Sequence, residues 1–243
     1  MPQLPVTEIF SSIQGEGPYV GVRQIFLRLP KCNLRCPYCD TPTALSQYMR
    51  METDPGSGAF ERKKNPIPLD SLSEMLRSYD FSIHHSLSIT GGEPLLWSKD
   101  LAYLLPLLKD KNIKIYLETN GTLPEQLLEI LPWVDIISMD IKLPFANQTF
   151  WNVHETFLRH SLHKEVFVKI VVNEDTSIDQ LQNVRDLILR VDPSIQTILQ
   201  PVTPTGVIKA PKSLQLIQWQ SFLLRELSMV RVIPQTHVFM GQL

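Results

Sequence analysis

The sequence predicts an α/β protein built on an open, six-stranded parallel sheet that forms a partial barrel. Strand-like and helix-like segments alternate along most of the 243 residues, and parallel pairing fits this alternation because each crossover helix returns the chain to the same edge of the sheet. Six strands are too few to close an eight-stranded barrel. We therefore expect an open barrel whose site lies at the carboxyl ends of the strands.

The predicted elements follow one another in a regular order. The first strand, residues 24–29, ends at Pro30 and leads directly into a segment that contains the cysteines. Further strands are predicted at residues 87–90, 113–118, 134–139, 166–172 and 195–200. Helices are predicted at residues 69–79, 99–109, 124–131, 148–160, 177–190 and 214–227. The candidate motifs described below all fall at strand ends.

One stretch interrupts this order. Residues 50–68 hold glycines and prolines among charged side chains and lack helical periodicity. We interpret them as an ordered insertion or a mobile loop rather than a linker, because the alternation resumes in phase afterward. Single α/β domains commonly reach this length, so we predict one domain over residues 1–243.

Composition narrows the class of partner. The net charge is only -2, which supplies no broad field for nucleic acid or an anionic membrane, so a small molecule is the expected partner. The N-terminus lacks the pattern of a signal peptide, and no stretch approaches the roughly 20 apolar residues of a membrane span. The three cysteines all lie between positions 32 and 39. This crowded, odd set indicates a metal site in a reducing compartment, and we predict a cytoplasmic protein.

Cys32, Cys36 and Cys39 follow a C-x3-C-x2-C spacing, which lets three thiolates of one loop converge on a compact metal centre. An ordinary iron–sulfur cluster takes four cysteines, and a structural zinc takes four protein ligands. A lone triplet therefore indicates a centre whose remaining position belongs to a substrate or cofactor. The alternatives are a zinc site completed by a distant histidine such as His84 or His85, and three unrelated core cysteines.

A glycine-rich motif, Thr90-Gly91-Gly92-Glu93-Pro94, stands at the end of the next predicted strand. Glycine allows a close approach of the backbone to a ligand. The cysteine triplet followed by this motif resembles the radical S-adenosylmethionine (SAM) superfamily. The resemblance implies a barrel of the radical SAM type, a [4Fe–4S] cluster on the three cysteines, and SAM bound to the open iron. It implies SAM contacts at Tyr38, Asp40, Gly91, Gly92, Glu93, Glu118, Asn120, Ser138, Asp140, Gln200 and Thr203.

The segment before the first strand, residues 8–18 (EIFSSIQGEGP), resembles the N-terminal signature of the 7-carboxy-7-deazaguanine synthases. Residues 231–237 (RVIPQTH) near the C-terminus also fit that family. The resemblance implies a Mg²⁺ ion at Thr41 that bridges toward the substrate carboxylate, and Mg²⁺ does prefer oxygen ligands. Helix capping is the alternative role for Thr41. The implied substrate contacts are Ile13, Gln14, Gly15, Glu16, Arg28, Thr90 and His237.

The chemistry of these side chains suits a carboxypterin. Gln14 and Glu16 offer a donor and an acceptor for the amide-and-amine edge of a pterin ring. Arg28 presents a planar fork that binds a carboxylate with two hydrogen bonds. Without the family, a polar turn and a surface ion pair would explain the same residues.

The resemblance implies conversion of 6-carboxy-5,6,7,8-tetrahydropterin to 7-carboxy-7-deazaguanine with loss of ammonia, in the queuosine and 7-deazapurine pathway. A flavodoxin-type electron donor and a homodimer are the expected partners. Two alternatives stay open. Residues 138–142 (SMDIK) also resemble glycyl-radical activating enzymes, which act on a protein partner. A zinc-stabilised binding module is the alternative outside enzymes.

Overall fold

The computed structural model describes residues 2–111, 113–145, 148–204 and 206–242 of the chain. A central sheet of ten strands carries most of the fold, and a separate pair of short strands lies at the N-terminus. The strands are β1 Gln3–Leu4, β2 Glu8–Ile13, β3 Arg23–Leu29, β4 Tyr48–Glu52, β5 Phe60–Lys64, β6 Ile67–Pro68, β7 Ser86–Gly91, β8 Ile115–Thr119, β9 Ile136–Asp140, β10 Glu165–Val172, β11 Gln196–Pro201 and β12 Val230–Val232.

Crossover helices connect the parallel strands. The second predicted helix is divided, because its α-helical part ends at Leu104 and a 3₁₀ segment, Leu105–Lys111, follows. The α5 helix begins with a capping box, in which the Ser177 hydroxyl accepts from the backbone of Gln180 at 3.2 Å. The helices are α1 Leu69–Arg77, α2 Ser98–Leu104, α3 Pro124–Ile130, α4 Trp151–Ser161, α5 Ile178–Val191, α6 Ser213–Leu223 and α7 Thr236–Met240.

The strand order in the main sheet is β12-β11-β10-β9-β8-β7-β3-β2-β4-β5. From β3 through β12 every neighbouring pair is parallel, and β5 and β12 stand at the two open edges. The open parallel architecture predicted from the sequence is therefore confirmed, with all six predicted strands present. The structure adds β12, a short seventh parallel strand in the described chain.

The predicted insertion contains a β-hairpin. Strands β4 and β5 pair antiparallel, and β2 joins them to the barrel by pairing antiparallel with β3. Glycines in the tight turn have positive φ, 90° at Gly56 and 69° at Gly58. The guanidinium of Arg50 lies 4.0 Å from the centre of the Phe60 ring. This segment is thus an ordered extension of the sheet.

Side chains that point into the barrel form two layers. An apolar cluster lies at the amino ends of the strands, and Tyr19 packs against it. Its members are Tyr116, Ile136, Phe167 and Ile198. Side chains alternate along a strand, so the next inward position is two residues further on. Those positions are polar on all four strands: Glu118, Ser138, Lys169 and Gln200. The barrel therefore has an apolar floor beneath a polar chamber.

The outward side chains of the same strands pack against the helices in one apolar core that extends from Leu4 to Val230. None of the described helices is long and apolar enough to cross a membrane.

Candidate active site

A cavity of about 510 Å³ opens at the carboxyl ends of the parallel strands. It brings together residues from distant parts of the chain, from Glu8 to Gln242. The predicted residues that line it are Ile13, Gln14, Gly15, Glu16, Arg28, Cys32, Cys36, Tyr38, Cys39, Asp40, Thr41, Thr90, Gly91, Gly92, Glu118, Asn120, Ser138, Asp140, Gln200 and His237.

All three cysteines are free thiols on the loop that follows β3. The Cys32 sulfur accepts from the backbone N–H of Leu34 at 3.4 Å, and the Asn120 side-chain amide lies 3.9 Å from it. Burial raises the pKa of the Cys32 and Cys36 thiols, an effect that the nearby ammonium of Lys142 opposes. The loop therefore presents three sulfur ligands to one cavity.

The two histidines that could complete a zinc site are held elsewhere. Across the described residues no group of three His, Cys, Asp or Glu side chains is placed to bind one metal ion. The His84 ring is already held by the Ser11 hydroxyl at 2.9 Å and the Asp80 carbonyl at 2.6 Å, and His85 lies 3.0 Å from the Ser86 hydroxyl. Neither histidine lines the cavity, so neither completes a zinc site with the cysteines.

The glycine-rich motif packs directly under the cysteine loop. The backbone N–H of Gly92 donates to Leu29 at 2.9 Å, and that of Glu93 donates to Lys31 at 2.8 Å. A Cβ atom on Gly91 would overlap the Leu29 backbone, and one on Gly92 would overlap the Lys31 carbonyl. Only glycine allows this approach, which fixes the loop at the cavity.

Glu93 and Thr203 are the predicted SAM contacts that do not line the cavity. The Glu93 carboxylate is fully buried and accepts from the Thr119 hydroxyl and the Asn120 backbone N–H, each at 2.8 Å. Burial raises its pKa to about 7. The Thr203 hydroxyl donates to Gln235 at 2.6 Å. In the structure Glu93 supports the loop that carries Asn120 and Thr203 contacts Gln235, and the direct contact of these two side chains with SAM stays a prediction.

Another group of polar side chains in the cavity surrounds the Glu118 carboxylate. The Gln14 amide donates to Glu118 at 2.9 Å and to Gln24 at 2.9 Å, and the Thr90 hydroxyl donates to Glu118 at 2.9 Å. Glu118 therefore lies with Gln14 and Thr90, which were predicted to contact substrate, although the sequence placed it in the SAM group. Both N–H groups of the Gln14 amide are already used within the protein.

Glu16 is held from three sides. Its carboxylate accepts from the amides of Gln200 at 3.0 Å and Gln235 at 2.9 Å, and it forms an ion pair with Lys169. Burial alone would raise the pKa of Glu16, but the Lys169 ammonium and the Gln235 amide lower it, with a net lowering. The carboxylate is therefore kept ionised inside the barrel.

Asp140 extends the series of charged side chains from Glu16 and Lys169 toward the cysteine loop. It lies 3.4 Å from Lys169 through one oxygen and 2.9 Å from Lys142 through the other, and the Lys142 ammonium lies 5.7 Å from the centre of the Tyr38 ring. Burial raises and the two lysines lower the pKa of Asp140, with a net lowering. Neither lysine was among the site residues predicted from the sequence. Lys169 could have been recognised from the sequence, because it is a lysine within the otherwise apolar strand EVFVKIVV.

At the opposite side of the cavity, Arg28 does not stand alone. Its Nε atom lies 2.8 Å from Glu8, whose second oxygen is 3.5 Å from Arg50. The β2–β3 register places Glu8 directly opposite Arg28. Glu8 and Arg50 line the cavity and were also missed, because their pairing depends on the antiparallel register and on the hairpin.

The C-terminal segment closes the cavity near Gly15. The backbone N–H of Thr236 donates to the Gly15 carbonyl at 2.9 Å, and a Cβ atom on Gly15 would overlap His237.

Thr41 starts no helix, because the next described element is β4. The capping role for Thr41 is therefore wrong; its hydroxyl donates to Asp40 at 3.2 Å.

Comparison with known proteins supports the same assignment of family. Residues 27–156 match the model of the radical SAM superfamily. The 7-carboxy-7-deazaguanine synthase of Geobacter sulfurreducens is 40% identical over 100% of this chain and 99% of its own length. The synthase of the same name from Methanocaldococcus jannaschii is 32% identical over 98% of this chain and 100% of its own.

Among solved structures, QueE from Escherichia coli superposes with a TM-score of 0.62 at 21% identity, covering 97% of this chain and 95% of that one. Streptococcus suis SuiB bound to S-adenosylmethionine superposes with a TM-score of 0.55 at 18% identity, covering 86% and 51%. These two similarities concern the fold. The full-length sequence identity and the family match show that the chain belongs to the radical SAM superfamily and, within it, to the 7-carboxy-7-deazaguanine synthases.

Proposed function

We propose that this chain converts 6-carboxy-5,6,7,8-tetrahydropterin to 7-carboxy-7-deazaguanine with loss of ammonia. The observation that carries the proposal is the convergence of the cysteine loop and the acidic groups Glu16 and Glu118 on one cavity, in a chain 40% identical to a synthase of that name. The glycyl-radical alternative offers no role for a buried group of carboxylates and amides around Gln14.

The cofactors follow from the family, which implies a [4Fe–4S] cluster and SAM. When bound, they would supply the radical chemistry that removes a hydrogen atom from C6 of the substrate. Cys32, Cys36 and Cys39 would hold the cluster. The SAM side of the cavity would be formed by Tyr38, Asp40, Gly91, Gly92, Asn120, Ser138, Asp140 and Gln200.

The substrate side of the cavity would be formed by the chamber around Glu16 and Glu118, with Arg28 toward the carboxylate. Gln14, Glu16 and Glu118 together present mainly acceptor oxygens to the cavity, because their internal hydrogen bonds use the Gln14 donors. A reduced pterin carries several N–H donors on its ring, so its edge complements these acceptors. Enclosing the ring in the barrel also excludes water from the reacting carbon.

Four finer assignments accompany this proposal. Thr41 would contribute to a Mg²⁺ ion held mainly by substrate and water. A flavodoxin-type protein would supply electrons, and the chain would act as a homodimer with a single domain per subunit. A cytoplasmic location would keep the thiols reduced for cluster assembly.

Anaerobic reconstitution followed by a SAM cleavage assay tests the function. With 6-carboxy-5,6,7,8-tetrahydropterin and a reductant, we expect 7-carboxy-7-deazaguanine by mass spectrometry, with SAM regenerated after each turnover. Without substrate, only slow uncoupled cleavage to methionine and 5′-deoxyadenosine is expected. A brown protein that cleaves SAM but leaves the carboxypterin unchanged would refute the substrate assignment, and a colourless zinc protein would refute the cluster.

A further inference from the structure

Lys169 is a buried cation in the polar chamber of the barrel, and the family assignment gives it no role. It lies on β10 at the inward position directly above Phe167 of the apolar floor. The whole residue is only 4% exposed. A lysine is rarely buried to this extent unless its charge is paired, so its partners define what it does.

Those partners lie on different sides of the cavity. The ammonium group forms an ion pair with Glu16, which follows β2, and lies 3.4 Å from Asp140 at the end of β9. Asp140 has a second, closer cation in Lys142 at 2.9 Å. Glu16 has no second cation among its described contacts, and its remaining partners are the neutral amides of Gln200 and Gln235. Glu16 thus depends on Lys169 more than Asp140 does.

The contacts also limit how Glu16 can meet a ligand. An ionised carboxylate has about four acceptor positions. The two amides share the first oxygen, Oε1, and Lys169 occupies one position on the second, Oε2. One position on Oε2 is left, and the Glu16 side chain keeps 17% exposure where it lines the cavity.

We propose that Lys169 is a positioning residue of the substrate site, which fixes the Glu16 carboxylate so that its one remaining acceptor position meets an N–H group of the pterin ring. This inference rests on the proposed function and deepens it. Lys169 touches Glu16 and not the reacting carbon. Its loss therefore weakens recognition of the ring and leaves SAM binding and the cluster in place, since Asp140 retains Lys142.

A double-mutant cycle on the reconstituted holoenzyme tests the proposal. Without reductant no turnover occurs, so the Kd of 6-carboxy-5,6,7,8-tetrahydropterin and that of SAM are measured separately by anaerobic calorimetry for the wild type, Lys169→Met, Glu16→Gln and the double variant. We expect Lys169→Met to weaken substrate binding about 10- to 100-fold and to change SAM binding by less than about twofold. In the Glu16→Gln background, Lys169→Met should add less than about twofold.

Arg185→Met is the matched control. Arg185 is also a largely buried cation with two carboxylate partners, Asp186 at 2.7 Å and Glu226 at 2.9 Å, but it lies outside the cavity lining. Its loss should reduce stability without changing either Kd. If Lys169→Met leaves two buried carboxylates too poorly neutralised to fold, Lys169→Arg, which keeps the positive charge but changes the geometry at Glu16, replaces it in the cycle.

The outcomes are distinct. Equal substrate affinity in the wild type and Lys169→Met, or a full additional loss in the Glu16→Gln background, would overturn the positioning role. An equal loss of SAM and substrate binding would assign Lys169 to the whole cavity and also overturn it. If the wild-type holoenzyme itself does not bind the carboxytetrahydropterin, the proposed function fails first, and this inference fails with it.

Discussion

Single side chains decide which cofactor and substrate the cavity can hold. The three thiols show this most directly, because a cluster with one open iron needs all three of them. Replacing Cys32, Cys36 or Cys39 by Ala is expected to abolish SAM cleavage and the brown absorbance of the cluster. Iron content and visible spectra after reconstitution measure the effect. Arg35→Ala, an exposed change in the same loop, should keep the iron, and wild-type activity in any cysteine variant would contradict the assignment.

Arg28 tests the orientation of the substrate. Arg28→Ala removes a charge-assisted hydrogen bond to the carboxylate and should weaken substrate binding by about 1.5–3 kcal/mol, with little change in SAM binding. Separate Kd measurements check this expectation. Arg50→Ala is the comparison, because Arg50 lies farther from Glu8, at 3.5 Å, and its side chain is 52% exposed. Equal losses for substrate and SAM in Arg28→Ala would place the guanidinium elsewhere.

Thr41 tests the proposed magnesium site. Mg²⁺ should raise turnover, and Thr41→Ala should lower this dependence, because a hydroxyl oxygen is a ligand for a hard cation and a methyl group is not. Iron content and uncoupled SAM cleavage should stay nearly unchanged. Product formation is titrated with Mg²⁺ in both proteins. Identical responses would remove Thr41 from the site, and no response in either would refute the metal-bridged pose.

At the scale of secondary-structure elements, the loops at the strand ends are held by buried contacts behind the cavity. His154 on α4 is fully buried, and its Nε2–H donates to the Asn120 carbonyl at 3.1 Å. The loop after β8, which carries Asn120 toward Cys32, is therefore anchored to α4, the helix that follows β9. Glu93 anchors the same loop through Thr119 and the Asn120 backbone.

This anchor predicts a specific pH dependence of stability. Burial lowers the pKa of His154 from 6.5 to about 4. The unfolded chain takes up a proton below its own pKa while the folded chain does not, so stability falls as the pH drops from about 6.5 toward 4, by about 3 kcal/mol in total. His154→Gln keeps a donor for Asn120 and removes this titration.

Urea unfolding of the metal-free protein under reducing conditions measures the effect. Between pH 6.5 and 4, the unfolding free energy of the wild type should fall more steeply than that of His154→Gln, by up to about 1.4 kcal/mol per pH unit. Parallel curves for the two proteins would mean that His154 titrates alike in the folded and unfolded chains.

At the scale of the whole molecule, one apolar core spans the sheet and its helices. Its buried members run from Leu4 on β1 to Val230 on β12, and the smaller apolar floor lies inside the same barrel. We expect the metal-free protein to unfold in a single calorimetric transition, with equal calorimetric and van't Hoff enthalpies. Two resolved transitions would contradict the single domain and would point to independent unfolding of the β4–β5 hairpin.

The sequence by itself determined the features that depend on near neighbours. The positions of the six longer parallel strands along the chain followed from the alternation of strand-like and helix-like segments. The cysteine triplet was recognisable within eight consecutive residues. The glycine-rich motif, residues 8–18 and residues 231–237 were likewise recognisable as short local patterns. The short strand β12 was missed because three residues, Val230–Val232, are too few to show a periodicity.

Only the tertiary structure decided how these patterns meet. Lys169 pairs with Asp140 because parallel β9 and β10 place the two residues side by side, and it pairs with Glu16 across 153 positions of sequence. The curvature of the sheet brings Glu118 to Gln14, and it leaves Glu93 buried behind the residues that line the cavity. Strand register and the curvature of the open sheet fix these contacts, and neither is encoded by the spacing of residues along the chain.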